Sequence, residues 1–145
     1  MSQVEDLSAI VSQFGAEAKR KLANIAALGS PEDQLRAPLE TLVKALGELC
    51  GQPNAIVPVG ETKVSHLSTR PDYSVTRGNE LIGFIELKAP GKGADPRHFT
   101  DDHDKKQWEK LKNLPNLIYT DGNSFSLWQN GELQGKIVHL EGDVK

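Results

Sequence analysis

The sequence predicts an α/β or α+β sandwich around a mixed β-sheet, and three observations predict it. Apolar residues recur every three or four positions through the first third of the chain, the pattern of amphipathic helices. From about residue 55 this gives way to short strand-like runs separated by turn residues. One more helical stretch then interrupts the runs, so the order is helices, strands, helix, strands.

Each element has its own signal. From Val4, the residues Leu7, Val11, Phe14, Ala18, Leu22 and Ile25 fall on one stripe of a helix ending near Gly29. Ser30-Pro31-Glu32-Asp33 reads as a helix start, with Ser30 as N-cap, Pro31 at N1 and Asp33 at N3 in a capping-box-like role. The second helix carries Leu35, Leu39, Leu42, Val43, Leu46 and Leu49 and stops at Gly51-Gln52-Pro53-Asn54. Residues 55–59 and 63–67 are weak strand candidates. Residues 73–76 and 81–87 are stronger ones, joined as a hairpin through Arg77-Gly78-Asn79-Glu80. A charged, glycine-rich loop over 89–102 leads to a helix over 104–113, which Pro115 ends. Strands over 116–120, 124–128 and 133–140 close the chain, with turns at Asp121-Gly122-Asn123 and Asn130-Gly131.

With 145 residues the chain is one domain or one domain with a helical appendage, divided here into an N-terminal amphipathic helix over 1–29 and a main domain over 30–145. A single cysteine, Cys50, excludes an intramolecular disulfide framework and suits a reducing, cytoplasmic setting. No apolar run approaches membrane-spanning length, and the start MSQVEDLSAIV is unlike a signal peptide, so a soluble protein without membrane contact is expected. The net charge of −3 argues against a histone-like binder that relies on excess Lys and Arg, and leaves room for local contact with nucleic acid.

Chemistry concentrates in residues 70–90, RPDYSVTRGNELIGFIELKAP. Along the strand, Ile82, Phe84, Glu86 and Lys88 alternate with Leu81, Gly83, Ile85 and Leu87, so both faces are largely apolar until its end. A central strand thus delivers a carboxylate and an ammonium to one sheet edge, where desolvation is costly without compensation. The hairpin brings Asp72 back alongside Glu86. Two carboxylates and a lysine suit phosphodiester hydrolysis: carboxylate oxygens hold Mg²⁺, the metal activates a water, and the lysine orients it or stabilises growing charge. The competing reading is a surface hairpin carrying an ordinary Glu-Lys pair.

Pro71-Asp72, a gap of 13 residues, Glu86-Leu87-Lys88 and then Gln107 resemble the PD-(D/E)xK nuclease superfamily. More narrowly, the run over 70–90 with the later NLIYTDGNSFSLWQNGEL resembles the Mrr-like N-terminal nuclease domain of Type ISP and Type IIG restriction-modification enzymes, over residues 36–140. The resemblance implies a restriction-endonuclease-like α/β/α sandwich with an N-terminal helical lead-in. It implies that Asp72 and Glu86 bind metal, that the Leu87 carbonyl adds a ligand, and that Lys88 is the catalytic lysine. Gln107 matches the glutamine of a QxxxY motif, whose tyrosine position is Leu111 here, leaving the tyrosine's role unsupported. Glu40 is the candidate for a helical glutamate that helps to bind metal in several families.

The implied activity is that of a Mg²⁺-dependent DNA endonuclease, with Mn²⁺ as substitute, acting on double-stranded DNA with little sequence specificity of its own. The resemblance also implies a larger system with an ATP-dependent translocase and a methyltransferase carrying target recognition. One such domain nicks unless two pair transiently for double-strand cleavage. The alternatives are a catalytically inactive interaction module that docks a partner through the N-terminal helix, or a nuclease directed at RNA or branched DNA. Residues 88–112 carry a balance of +2 and form the strip for phosphate contact, with Lys92, Lys105 and Lys106 as its candidates. No GxxxxGK[ST] is present, so Pro90-Gly91-Lys92-Gly93 reads as a loop, and His98 and His103 lack zinc-site spacing. Trp108 and Trp128 read as packing residues.

Overall fold

The computed structural model describes residues 3–24, 29–52, 55–60 and 70–144. Helix α1 spans Gln3–Ala23; Ile25 and the strand expected over 63–67 lie outside the described residues. The second helix is broken in two, α2 (Pro31–Gln34) and α3 (Arg36–Leu49), with fully buried Leu35 between them. Pro38 causes the break, because it offers no N–H to the Gln34 carbonyl and its ring crowds that oxygen. The regular ladder resumes with Leu39 N–H donating to the Leu35 carbonyl at 3.0 Å. Ser30 and Pro31 take the expected cap positions, but the Ser30 side chain makes no capping bond and the box does not form. The Asp33 carboxylate instead faces Arg36 Nε at 3.5 Å.

Strands β1 (Ile56–Gly60), β2 (Tyr73–Arg77) and β3 (Glu80–Leu87) form an antiparallel meander. Helix α4 (Asp102–Leu111) crosses over to β4 (Leu117–Thr120), which pairs parallel with β3, and β5 (Ser124–Gln129) returns antiparallel. The strand expected over 133–140 is two short ones, β6 (Glu132–Leu133) and β7 (Val138–His139), pairing opposite ends of β5. Gly135 between them has φ +68°, which no extended strand accommodates. The sheet is therefore mixed, in the order β1-β2-β3-β4-β5-β6, with β7 also on β5.

One layer of helices lies on each face, giving the expected α/β/α sandwich. Phe14 and Ala18 of α1 and Leu39 and Leu42 of α3 pack with Tyr73, Val75, Ile85 and Leu87. On the other face Trp108 and Leu111 of α4 pack with Phe84, Leu117, Tyr119 and Trp128. Both tryptophans are core residues, stacked edge to face at 4.8 Å between centroids. The alternation along β3 holds from Gly83 onward and fails at Ile82, which packs with the α1/α3 core. A bulge opposite Val75 and Thr76 inserts one residue there and shifts the phase. No helix among the described residues is long and apolar enough to cross a membrane.

Candidate active site

The β2–β3 pairing sets Tyr73 against Ile85, so the residue before β2 lies beside the end of β3. Asp72 and Glu86 exchange contacts through the backbone there. The Asp72 N–H donates to Glu86 Oε1 at 3.2 Å, and the Leu87 N–H donates to Asp72 Oδ2 at 2.7 Å. The expected convergence of the two carboxylates is present, and it is held by main-chain donors. Arg36, at the start of α3, donates to Asp72 Oδ1 at 2.9 Å.

Lys88 follows on the same face as Glu86 and is only 5 % exposed. Its ammonium sits 3.2 Å from Glu86 Oε2, donates to Asp104 Oδ1 at 3.0 Å, and donates to Gln107 Oε1 at 2.6 Å. An ammonium has three N–H donors, so all are engaged. Asp104 and Gln107 lie one turn apart on α4, which places both on the inner face of that helix. The Asp101 side chain caps α4 by accepting the Asp104 N–H at 3.1 Å. These groups line an open recess of about 340 Å³ at the sheet edge.

Burial, followed by the neighbouring Asp72 charge, pushes the Glu86 carboxyl up to about 8 despite the opposing pull of Lys88. Burial pushes the Lys88 ammonium downward, but Glu86 and Asp104 outweigh it and hold the group above the usual lysine value. Asp104 likewise stays below the usual carboxylate value, because Lys92 and Lys88 override its burial.

The loop over 89–94 is fastened from below. Asp121, just after β4, accepts the N–H groups of Gly91 at 3.2 Å and Gly93 at 2.8 Å on one oxygen. Its other oxygen accepts from Asn123 and Ser124. The loop so held brings the Lys92 ammonium against Asp104 Oδ2.

Of the expected residues, Asp72, Glu86, Leu87, Lys88, Lys92 and Gln107 line the recess. Glu40 does not. It lies two turns further along the helical segment, accepts the Tyr73 hydroxyl at 2.9 Å, and borders a separate recess with Arg36 and Gly60. The helical glutamate that does line the site is Glu32 of α2, raised above its usual value by burial and then by Asp72. Lys105 and Lys106 are exposed on α4 outside the recess. Sequence reasoning missed Glu32, Arg36 and Asp104. Their only signal was placement: Asp104 three residues before Gln107, Glu32 and Arg36 flanking the helix break. Leu111 is fully buried where the resemblance has a tyrosine, and Tyr119 of β4, the strand partner of Glu86, fills that layer. Among the described residues no three His, Cys, Asp or Glu side chains cluster in a way that could hold a metal ion.

The sequence matches no family model and none of the curated proteins. Among solved structures, a chain from a cryo-EM structure of a DrdV–DNA complex superposes with a TM-score of 0.65 at 22 % identity. The match covers 90 % of this chain and 85 % of that one, and likeness of this degree shows that the two share a fold.

Proposed function

We propose that the chain is a divalent-metal-dependent DNA endonuclease, cutting phosphodiester bonds at the recess between β3 and α4. The observation that carries this reading is the meeting of Asp72 and Glu86 at the sheet edge with Lys88 held beside them. The resemblance in residues 70–90 and the fold shared with a chain of a DNA complex support the same reading.

The donor set fits Mg²⁺. This cation favours hard oxygen ligands, keeps several waters and needs only one or two protein carboxylates. Glu86 is raised first by burial and then by the Asp72 charge, and a cation bound between the two would favour their charged forms. Asp72, Glu86 and the Leu87 carbonyl would hold the ion, and Glu32, not Glu40, is the helical glutamate that borders the same recess. When bound, Mg²⁺ supplies Lewis acidity toward a phosphate oxygen and an attacking water.

The chain's own groups divide the remaining work. Lys88 stays an ammonium, so it acts as hydrogen-bond donor and positive charge toward the water or the phosphorane-like transition state rather than as a base. Gln107 fixes the direction of that ammonium, and Arg36 holds the Asp72 carboxylate. Lys92 supplies a second positive group at the recess. Substrate is brought to the site by partner domains, an ATP-driven translocase and a target-recognising methyltransferase. Phe14 and Ala18, part of the α1 stripe on which the interaction-module alternative rests, are spent in the chain's own core, while Leu7 of that stripe is exposed.

Supercoiled plasmid with Mg²⁺ or Mn²⁺ tests the reading. The wild-type chain nicks it, and Asp72→Ala and Lys88→Ala each lower the rate by about 100-fold or more. Equal nicking by all three proteins, or none even with the domain tethered to DNA, would remove the proposal.

A further inference from the structure

Asp104 has no role in the resemblance, yet it is 4 % exposed and both its oxygens face ammonium groups, Lys88 on one and Lys92 on the other. Burying a carboxylate at that depth is costly, and the arrangement around it is elaborate for a surface helix. Its N–H is capped by Asp101, and the loop bearing Lys92 is tied down by Asp121. An acid in the first turn of α4 is also favoured by the partial positive charge of the helix start.

The distances around Lys88 show what this arrangement does. The ammonium divides its donors among Glu86 at 3.2 Å, Asp104 at 3.0 Å and Gln107 at 2.6 Å, and its longest contact is the one to Glu86. A lysine two residues from a carboxylate on the same strand face would otherwise pair with it fully. Such a pair occupies the oxygen lone pairs and the charge that a cation needs. We infer that Asp104 is a positioning residue that shares the Lys88 ammonium with Glu86 and so loosens its hold on the carboxylate that a divalent cation would need. The inference rests on the metal-dependent reading above and assigns Asp104 an action through Lys88, not as a ligand.

Mn²⁺ binding to the full chain, followed by the electron paramagnetic resonance signal of the free ion, tests this without cleavage. Asp104→Asn keeps the shape and an acceptor oxygen but removes the charge, and it weakens Mn²⁺ binding about tenfold, the usual effect of losing an outer partner of a metal site. In a Lys88→Met background, where no ammonium competes for Glu86, the same Asp104→Asn change alters affinity by less than about twofold, because coupling vanishes with the partner. Asp104→Ser serves as second variant should the asparagine form fail to fold by circular dichroism. Unchanged affinity in the single variant would overturn the inference. So would a tenfold loss that persists with Lys88→Met, which would make Asp104 a direct ligand. A wild-type chain that binds no Mn²⁺ would overturn the metal-dependent reading itself, and this inference with it.

Discussion

Glu86 is a carboxylate buried at 4 % exposure beside a second carboxylate. Its acidity links the site to stability. The unfolded chain loses this proton near 4.5 while the folded chain holds it to about 8, so the stability contributed by the protonated form is complete below 4.5. It drains away as pH rises between those values and is gone above about 8. We expect denaturant unfolding without divalent ions to show this decline from pH 5 to 8, and Glu86→Gln to flatten it. At pH 8 the glutamine variant should exceed wild type by about 1–3 kcal/mol. A variant that tracks wild type across the range would show that Glu86 ionises normally. At this scale the sequence was informative for Asp72, Glu86 and Lys88, because strand alternation and a hairpin suffice to bring them together, whereas Gln107, on α4, was indicated by the resemblance alone. It was silent on Asp104, whose buried face depends on where α4 lands, and the resemblance pointed to Glu40 because nothing in the sequence tells which turn of the helix reaches the sheet edge.

Strand β3 is the element on which the site depends. It is paired on both sides, antiparallel to β2 and parallel to β4, and covered on both faces. Gly83 lets the chain before β4 come close: a Cβ there would lie 2.7 Å from the Asn116 carbonyl oxygen and 3.2 Å from Asn116 Cβ. Asn116 is itself fixed, with φ 52° and its side-chain amide donating to the Ile82 carbonyl at 2.9 Å. The neighbour is backbone and cannot swing aside. Gly83→Ala should therefore cost about 1–3 kcal/mol in denaturant midpoint and, by displacing β3 from β4, lower nicking as well. A variant within about 0.5 kcal/mol of wild type would mean that the strands slide freely. The strands and α4 were legible from turn residues and periodicity. Three departures came from local chemistry that a hydrophobic pattern does not register: Pro38 breaking the second helix, Gly135 dividing the last strand, and the bulge at Ile82.

Across the whole molecule, α1 is part of the packing and not a free arm. Phe14 is buried and meets Phe125 of β5 edge to face at 6.2 Å, beneath the same sheet whose other face carries α4. Phe14→Ala should destabilise the chain by about 3–5 kcal/mol, read from equilibrium unfolding. A loss below about 1 kcal/mol would return α1 to the role of a detachable docking helix. The sequence by itself determined the helix and strand order, the central strand and the pairing of Asp72 with Glu86. Each of these follows from short-range periodicity and turn chemistry. Only the tertiary structure decided which helix turn and which loop close the site, bringing Glu32, Asp104 and Lys92 around Lys88 and Arg36 onto Asp72. The physical reason is distance along the chain: these contacts form where α2, α3, α4 and the loop over 89–94 pack on opposite sides of one strand end, and a hydrophobic period shows which face of a helix is buried but not where on the sheet that face lands.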